Sequence, residues 1–128
     1  MNTKSKVALA IVAGIAIGAA ATEGLHAQAK LKAYSIGELE MFDAAAAPSY
    51  LTATRAAIET AHGHSVRTIG GRVISIEGAA PPKAVALVEW DSADDAVAFY
   101  KSKAWADLAP ERDKVQKATR RYVVEVEK

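Results

Sequence analysis

A short apolar run followed at once by a helix signal constrains the fold of this chain more than any other feature. Ala84–Trp90 is almost wholly apolar and rich in valine, as in a strand that is buried on both faces of a sheet. Ser92 followed by Asp95 has the form of a capping box, and the apolar residues from there to Tyr100 repeat at helical spacing. The pattern predicts a central strand and a helix that folds back onto its sheet.

The beginning of the chain has the three parts of a secretory signal peptide. A basic start is followed by the unbroken apolar run Val7–Ala21 and by the small-residue cleavage site Ala27-Gln28-Ala29. We therefore predict a signal peptide over residues 1–29, one mature domain over residues 30–128, and a periplasmic or secreted location. The alternative is an uncleaved membrane anchor, although the apolar run spans only ~22 Å at ~1.5 Å per residue, against a hydrocarbon core of ~30 Å.

The composition of the predicted mature domain excludes several classes of partner. It has equal numbers of basic and acidic residues, interspersed along the chain, which gives no electrostatic footprint for nucleic acid or for an anionic membrane surface. The chain contains no cysteine, so it has no disulfide, no thiolate nucleophile and no sulfur ligand for a metal. We expect no nucleic-acid partner and no membrane contact after signal cleavage.

The other segments of the predicted domain alternate between strand and helix patterns. Gly63 is expected to end the first helix as its C′ residue, and Gly70-Gly71 forms either a two-residue hairpin or a bulge within one bent strand. Pro110 is expected to break a helical region. In chain order the predicted elements are a strand over Ala33–Met41, a helix from Pro48 to Ala61, strands over Ser65–Ile69 and Arg72–Glu77, the strand and helix described above, helical turns over Lys103–Leu108 and through Val115, and a strand over Arg121–Glu127.

This order predicts an α+β protein with the ferredoxin-like βαββαβ arrangement, in which an antiparallel sheet carries its helices on one face. Alternation along the first strand puts Tyr34, Ile36, Glu38 and Glu40 together on one face of the sheet, with Tyr34 and Glu38 expected to reach the space between sheet and helices. A domain of this size cannot cover a half-apolar open face by itself. We therefore expect a homodimer in which the open face is covered by a second copy.

Several short motifs resemble those of the domain of unknown function 1330 family, which lies within the dimeric α+β barrel superfamily. The resemblance spans about Lys32 to Glu127 and implies a homodimer whose two sheets face each other, with a possible pocket between each sheet and its own helices. The activity of the family is not established, and its superfamily relatives include cofactor-poor monooxygenases, isomerases and haem-degrading enzymes. The motifs are Ala33-Tyr34-x-Ile36-Gly37-Glu38, Ala61-His62-Gly63, Gly70-Gly71-Arg72-Val73 with Glu77-Gly78, Pro81-Pro82-Lys83, and Phe99-Tyr100-x-Ser102 followed by Trp105, Leu108 and Pro110.

Few residues of the predicted domain have the chemistry of an active site. His62 and His64 are its only histidines, and they lack further ligands at metal-binding spacing, so no metal site is expected. His64 has the intrinsic pKa of a general acid or base, and Glu38 is a candidate carboxylate of raised pKa. Tyr100 and Trp105 either line a pocket for an aromatic ligand or belong to the core. The resemblance implies that a haem-degrading relative would carry a histidine on the second helix, and this chain has none between Ser92 and Ser102, so a haem role is disfavoured.

Three functions remain open at this stage. The first is an exported homodimer that binds a small apolar or aromatic molecule between sheet and helices, with one anionic or phenolic group on the ligand. The second is a cofactor-independent enzyme of monooxygenase or isomerase type with His64 and Glu38 as acid–base groups, and the third is a membrane-tethered interaction protein. No organic cofactor is expected. The candidate ligand-binding residues are Tyr34, Glu38, His64, Arg67 and Tyr100.

Overall fold

The computed structural model describes residues 30–128, and the predicted signal peptide over residues 1–29 lies outside the described residues. Four strands form one antiparallel sheet in the order β2-β3-β1-β4, which confirms the predicted ferredoxin-like α+β fold. The elements are β1 (Ala33–Met41), α1 (Ala47–Thr60), β2 (His64–Val66), β3 (Ala84–Trp90), α2 (Ala93–Tyr100), α3 (Lys103–Asp107), α4 (Ala109–Val115) and β4 (Gln116–Glu125).

The core lies between the sheet and the helices. Trp90 is fully buried and packs on Phe99 of α2, with ring centroids 5.3 Å apart. Ile58 of α1 and Val88 of β3 complete the same cluster. The apolar pattern of Ala84–Trp90 therefore places β3 at the centre of the fold, as the sequence predicts.

The sheet has one covered and one open face, because side chains alternate along each strand. On β1, Ser35 and Leu39 are buried against the helical layer, whereas Tyr34, Ile36 and Glu38 are only half-buried on the opposite face. Cross-strand partners continue both sets onto β3 and β4. We call the surface away from the helices the open face.

Ser92 is the N-cap of α2, as the capping-box pattern predicts. The backbone N–H of Asp95 donates to Ser92 Oγ at 3.1 Å, and the Ser92 hydroxyl donates to Asp95 Oδ2 at 2.7 Å. Ser102 caps α3 in the same way, since its Oγ accepts from the N–H of Trp105 at 3.3 Å. Pro110 lies in the first turn of α4, where a missing N–H costs nothing, so the residue begins a helix instead of breaking one.

The end of α1 differs from the prediction by one residue. His62, not Gly63, is the C′ residue, and it has a left-handed backbone with φ of +64°. Its N–H donates to Glu59 O and that of Gly63 donates to Ile58 O, at 3.0 and 2.9 Å. This pair of bonds is a Schellman motif. Gly63 is needed for space, because a Cβ there would lie 2.8 Å from Trp90 Cζ3.

The strand predicted over Arg72–Glu77 is wrong. β2 stops at Val66, and a turn follows in which the N–H of Gly71 donates to Thr68 O at 3.0 Å. Gly70-Gly71 therefore forms part of this turn, and neither the hairpin nor the bulge that we considered is present. The β-branched residues after the turn favour an extended backbone, but no neighbouring strand in the described chain offers them a hydrogen-bond ladder.

The last strand is longer than predicted. β4 begins at Gln116 instead of Arg121, because Met41 at the far end of β1 still has a cross-strand partner there. The register shifts by one residue beside Glu38, which leaves Thr119 without an opposite residue, as in a β-bulge. Within residues 30–128, no helix has the length and apolar character needed to cross a bilayer.

Candidate functional site

The five candidate ligand-binding residues lie in three different places. Tyr34, Glu38 and His64 are on the open face, where cross-strand register puts His64 opposite Glu89 and therefore on the same side as Tyr34. Tyr100 lies under the helices in the aromatic core. Arg67 follows β2 and lines a groove beside α1. No single pocket brings all five together, because sheet alternation separates the first three from the other two.

Glu38 is engaged in an ion pair between strands. Arg120 of β4 donates to both carboxylate oxygens, from Nε to Oε2 at 3.0 Å and from Nη2 to Oε1 at 2.8 Å. Tyr122 Oη donates to the same carboxylate at 3.3 Å. The carboxylate in turn raises the pKa of Arg120. These contacts are those of a structural pair, and they leave the carboxylate poorly placed to accept a proton from a substrate.

Tyr34 and His64 surround a second carboxylate on the open face. Tyr34 Oη donates to Glu89 Oε2 at 3.0 Å, and Lys32 Nζ donates to Glu89 Oε1 at 2.6 Å. Both hydrogen bonds favour the ionised carboxylate, so they lower the pKa of Glu89, and they raise the pKa values of Lys32 and Tyr34. His64 is mostly exposed, and its Nδ1 lies 3.4 Å from Oε2 of Glu59.

The groove that contains Arg67 lies between the sheet and α1. It runs between α1 on one side and β2, β3 and the residues after β2 on the other, with a volume of about 390 Å³. We call it the α1 groove. Its apolar walls are Pro48, Leu51, Ile58, Ile69, Ala86 and Val88.

Polar groups in the α1 groove point to the chemistry of a ligand. Thr54 and Arg55 are among its lining residues, and their Oγ1 and Nε atoms are buried without a hydrogen-bond partner in the described chain. Arg67 adds an exposed guanidinium at the side formed by the loop after β2. All three groups donate hydrogen bonds, so the groove suits an apolar molecule with an acceptor or an anion.

A chain of buried hydrogen bonds fixes Tyr100 in place. Trp90 Nε1 donates to Ser35 Oγ at 2.9 Å, and Ser35 Oγ is 2.9 Å from Tyr100 Oη. The ring of Tyr100 also meets that of Trp105 edge-on, with centroids 4.9 Å apart. The phenol and the ring are thus both occupied by protein partners. Of the two interpretations that the sequence left open, this environment matches a core residue.

Burial dominates the environment of another tyrosine, Tyr50 of α1. The burial raises the pKa of its phenol, whereas Thr54, Arg112 and Arg121 oppose the shift. Neither Tyr50 Oη nor Thr54 Oγ1 has a hydrogen-bond partner of good geometry in the described chain. Two arginines from α4 and β4 thus lie near enough to α1 to act on a buried phenol.

Sequence patterns missed several polar residues under the helices. Thr54 repeats with the apolar residues of α1, and a hydroxyl on an apolar helix face was a usable signal. Arg121 and Val123 lie on the same, covered side of β4, but only the register of the sheet shows which side of β4 is covered. Arg112 and Gln116 gave no signal. Among residues 30–128, no three His, Cys, Asp or Glu side chains cluster at a spacing that suits a metal ion.

The fold and the groove define a small α+β domain of ferredoxin-like topology with one open sheet face. The chain belongs to the DUF1330 family of domains of unknown function, whose model matches residues 32–126. Its structure is similar to that of a protein of unknown function from Rhodopseudomonas palustris, a structural genomics target, with a TM-score of 0.59 and 12% identity over 84% of this chain and 92% of the other. No curated protein matches the chain.

Proposed function

We propose that this protein is an exported, homodimeric binding protein for a small, largely apolar or aromatic molecule that carries one anionic or phenolic group. The α1 groove is the proposed site. The observation that carries the proposal is a cavity of about 390 Å³ with apolar walls and donor groups from Thr54, Arg55 and Arg67. This volume falls within the ~300–1,000 Å³ that is typical of small-molecule sites.

Binding is a better-supported function than catalysis at this groove. The described residues that line it include no aspartate, glutamate or histidine, so the lining offers no general base or acid near neutral pH. His64 and Glu38, the candidates for acid–base chemistry, lie on the other side of the sheet. An enzyme of monooxygenase or isomerase type would need a different site.

The open face supports the proposed homodimer. Val66, Tyr122 and Val124 all expose more than 40% of their surface on this face. Tyr122 and Val124 are neighbours on β4 at one edge of the sheet, and Val66 lies on β2 at the other edge, so exposed apolar area is present at both edges. A second copy that packs there would remove this area from water, which is the main driving force for association.

Substitution of Arg67 tests the proposed site. Aryl carboxylates and phenols are first screened for thermal stabilisation of the protein, and the best is then titrated by calorimetry. Arg67→Ala is expected to weaken binding about tenfold or more, because it removes a charge-assisted hydrogen bond worth ~1.5–3 kcal/mol. The melting temperature of the free protein should stay nearly constant, since Arg67 is exposed.

Arg72→Ala is the matched control, because Arg72 is also exposed, belongs to the same loop and does not line the groove. It should leave affinity unchanged. Equal effects of the two substitutions, or no stabilisation by any compound of the screen, would show that the groove is not the site.

A further inference from the structure

A second cavity, of about 370 Å³, lies where β4 begins, and it shares no lining residue with the α1 groove. We call it the β4 pocket. We propose that it binds a small hydroxycarboxylate, with Arg121 holding the carboxylate and Gln116 bonding a hydroxyl at the other end of the molecule. This inference is independent of the function proposed for the α1 groove.

Arg121 is held as a cation without a protein anion. Its guanidinium carbon lies 5.1 Å from the ring centroids of both Tyr100 and Trp105. Gly37 lies beneath it on β1, and a Cβ there would come within 2.7 Å of Nη1. Within residues 30–128, no carboxylate forms an ion pair with Arg121. A half-buried guanidinium in aromatic surroundings binds an anion more strongly than one in water.

The rest of the β4 pocket has an excess of positive charge. Arg112 and Lys117 line it together with Arg121, and Asp113 is its one acidic lining residue. Arg112 lies 4.4 Å from the ring centroid of Trp105, and its Nε is 3.6 Å from Asp113 Oδ1. The Asp113 side chain is 74% exposed, so water screens its charge. The pocket thus favours an anionic ligand.

Gln116 supplies the second and independent indication of a ligand. The residue is only 4% exposed, it lines the β4 pocket, and its Oε1 has no hydrogen-bond partner in the described chain. A buried amide oxygen needs a donor. A ligand hydroxyl meets this need, and because a hydroxyl both donates and accepts, it satisfies the amide in either orientation.

The spacing of the two anchors selects among hydroxycarboxylates. Gln116 pairs with Met41 and Arg121 with Gly37 on β1, positions that are four residues apart. At ~3.4 Å per residue this is roughly 14 Å between backbones, of which the two side chains cover only a part. We take the ligand to carry a flat spacer that packs on Trp105 between its carboxylate and its hydroxyl, as in 4-hydroxybenzoate.

NMR spectroscopy with three probes tests the proposal on the unmodified protein. The full chain has three side-chain amides, in Asn2, Gln28 and Gln116, and the last is assigned by its loss in Gln116→Glu. Titration with 4-hydroxybenzoate should shift the Gln116 amide and the indole N–H of Trp105. Benzoate, which lacks the hydroxyl, should bind about 5- to 30-fold more weakly, and the uncharged 4-hydroxybenzamide at least tenfold more weakly.

Neighbouring arginines provide a matched pair of variants. Arg121→Gln should weaken binding of 4-hydroxybenzoate, followed by the shift of the Gln116 amide, at least tenfold, whereas Arg120→Gln, on the open face, should leave it unchanged. Gln116→Leu should remove the preference for 4-hydroxybenzoate over benzoate. Circular dichroism of each variant verifies the fold.

The proposal is overturned if 4-hydroxybenzoate leaves the Gln116 amide unmoved at millimolar concentration, or if the three probes bind alike. It is also overturned if Arg120→Gln and Arg121→Gln have equal effects. Should Arg121→Gln fail to fold, the comparison of the three probes on the unmodified protein decides the question alone.

Discussion

Two adjacent residues at the end of α1, His62 and Gly63, are subject to different constraints, one on the backbone and one on the space for a side chain. His62 has the left-handed conformation that glycine adopts at little cost, and it is one of the few residue types that tolerate it. Gly63 has no such backbone, but it touches Ile58 and Trp90 so closely that a methyl group does not fit. The left-handed backbone would favour glycine at position 62, but the glycine of this turn is at position 63, where packing requires it.

We predict that substitutions at these two positions change stability in opposite directions. His62→Gly should raise the free energy of unfolding by about 0.5–1 kcal/mol, because it relieves the left-handed backbone by more than it loosens the unfolded chain. Gly63→Ala should lower it by about 1–3 kcal/mol through overpacking against Trp90. Urea denaturation measures both. Equal losses in the two variants would contradict this account of the turn.

The ionisation of Glu89 makes the free energy of unfolding depend on pH. Its pKa is lowered from the ordinary value of 4.5 by hydrogen bonds from Lys32 and Tyr34. A carboxyl whose folded-state pKa lies below the unfolded value stabilises the fold above pH 4.5, and this contribution is lost as pH falls through the folded-state pKa. We predict that Glu89→Gln flattens the decline of unfolding free energy between neutral pH and pH 3.

The control for this prediction is Glu40→Gln, because Glu40 is an exposed carboxylate on β1 that forms no ion pair with a described residue. Glu40→Gln should leave the decline of unfolding free energy between neutral pH and pH 3 as steep as in the unmodified protein. An unchanged slope in Glu89→Gln would mean that the pair with Lys32 is too well solvated to matter.

At the level of helices and strands, sequence patterns predicted correctly the elements that depend on contacts close in sequence. The capping box at Ser92 and the apolar run before it located α2 and β3, because both depend on contacts close in sequence. Arg72–Glu77 was misassigned since β propensity says nothing about whether a partner strand is near. β4 was predicted too short since its first residues owe their conformation to Met41 on another strand.

The same distinction between local and long-range contacts applies to the candidate sites. Arg67 was predicted within a strand over Ser65–Ile69 as a group that reaches the space between sheet and helices, and in the structure it follows β2 and lines the α1 groove. Arg121 and Gln116 escaped notice because their setting depends on sheet register and on Gly37 opposite them. A pocket between a sheet and its helices is assembled from residues far apart in the chain, and no spacing rule along the sequence encodes it.

For the whole molecule, the open face is the region that a homodimer would cover. We predict that Val124→Glu lowers the molar mass measured by light scattering from that of a dimer to that of a monomer, because a buried unpaired carboxylate disfavours association. Val97→Glu is the control, since Val97 of α2 is 40% exposed, close to the 47% of Val124, and lies on the helical side. A monomeric unmodified protein at micromolar concentration would refute the homodimer.

The contact between Gly37 and Arg121 also limits how this sequence can change over evolutionary time. A Cβ at position 37 would come within 2.7 Å of Arg121 Nη1, so even a methyl group there displaces the guanidinium from its place over the sheet. The arginine side chain is flexible enough to move, and the displacement changes its contacts with Tyr100 and Trp105. The effect of a substitution at either position therefore depends on which residue occupies the other.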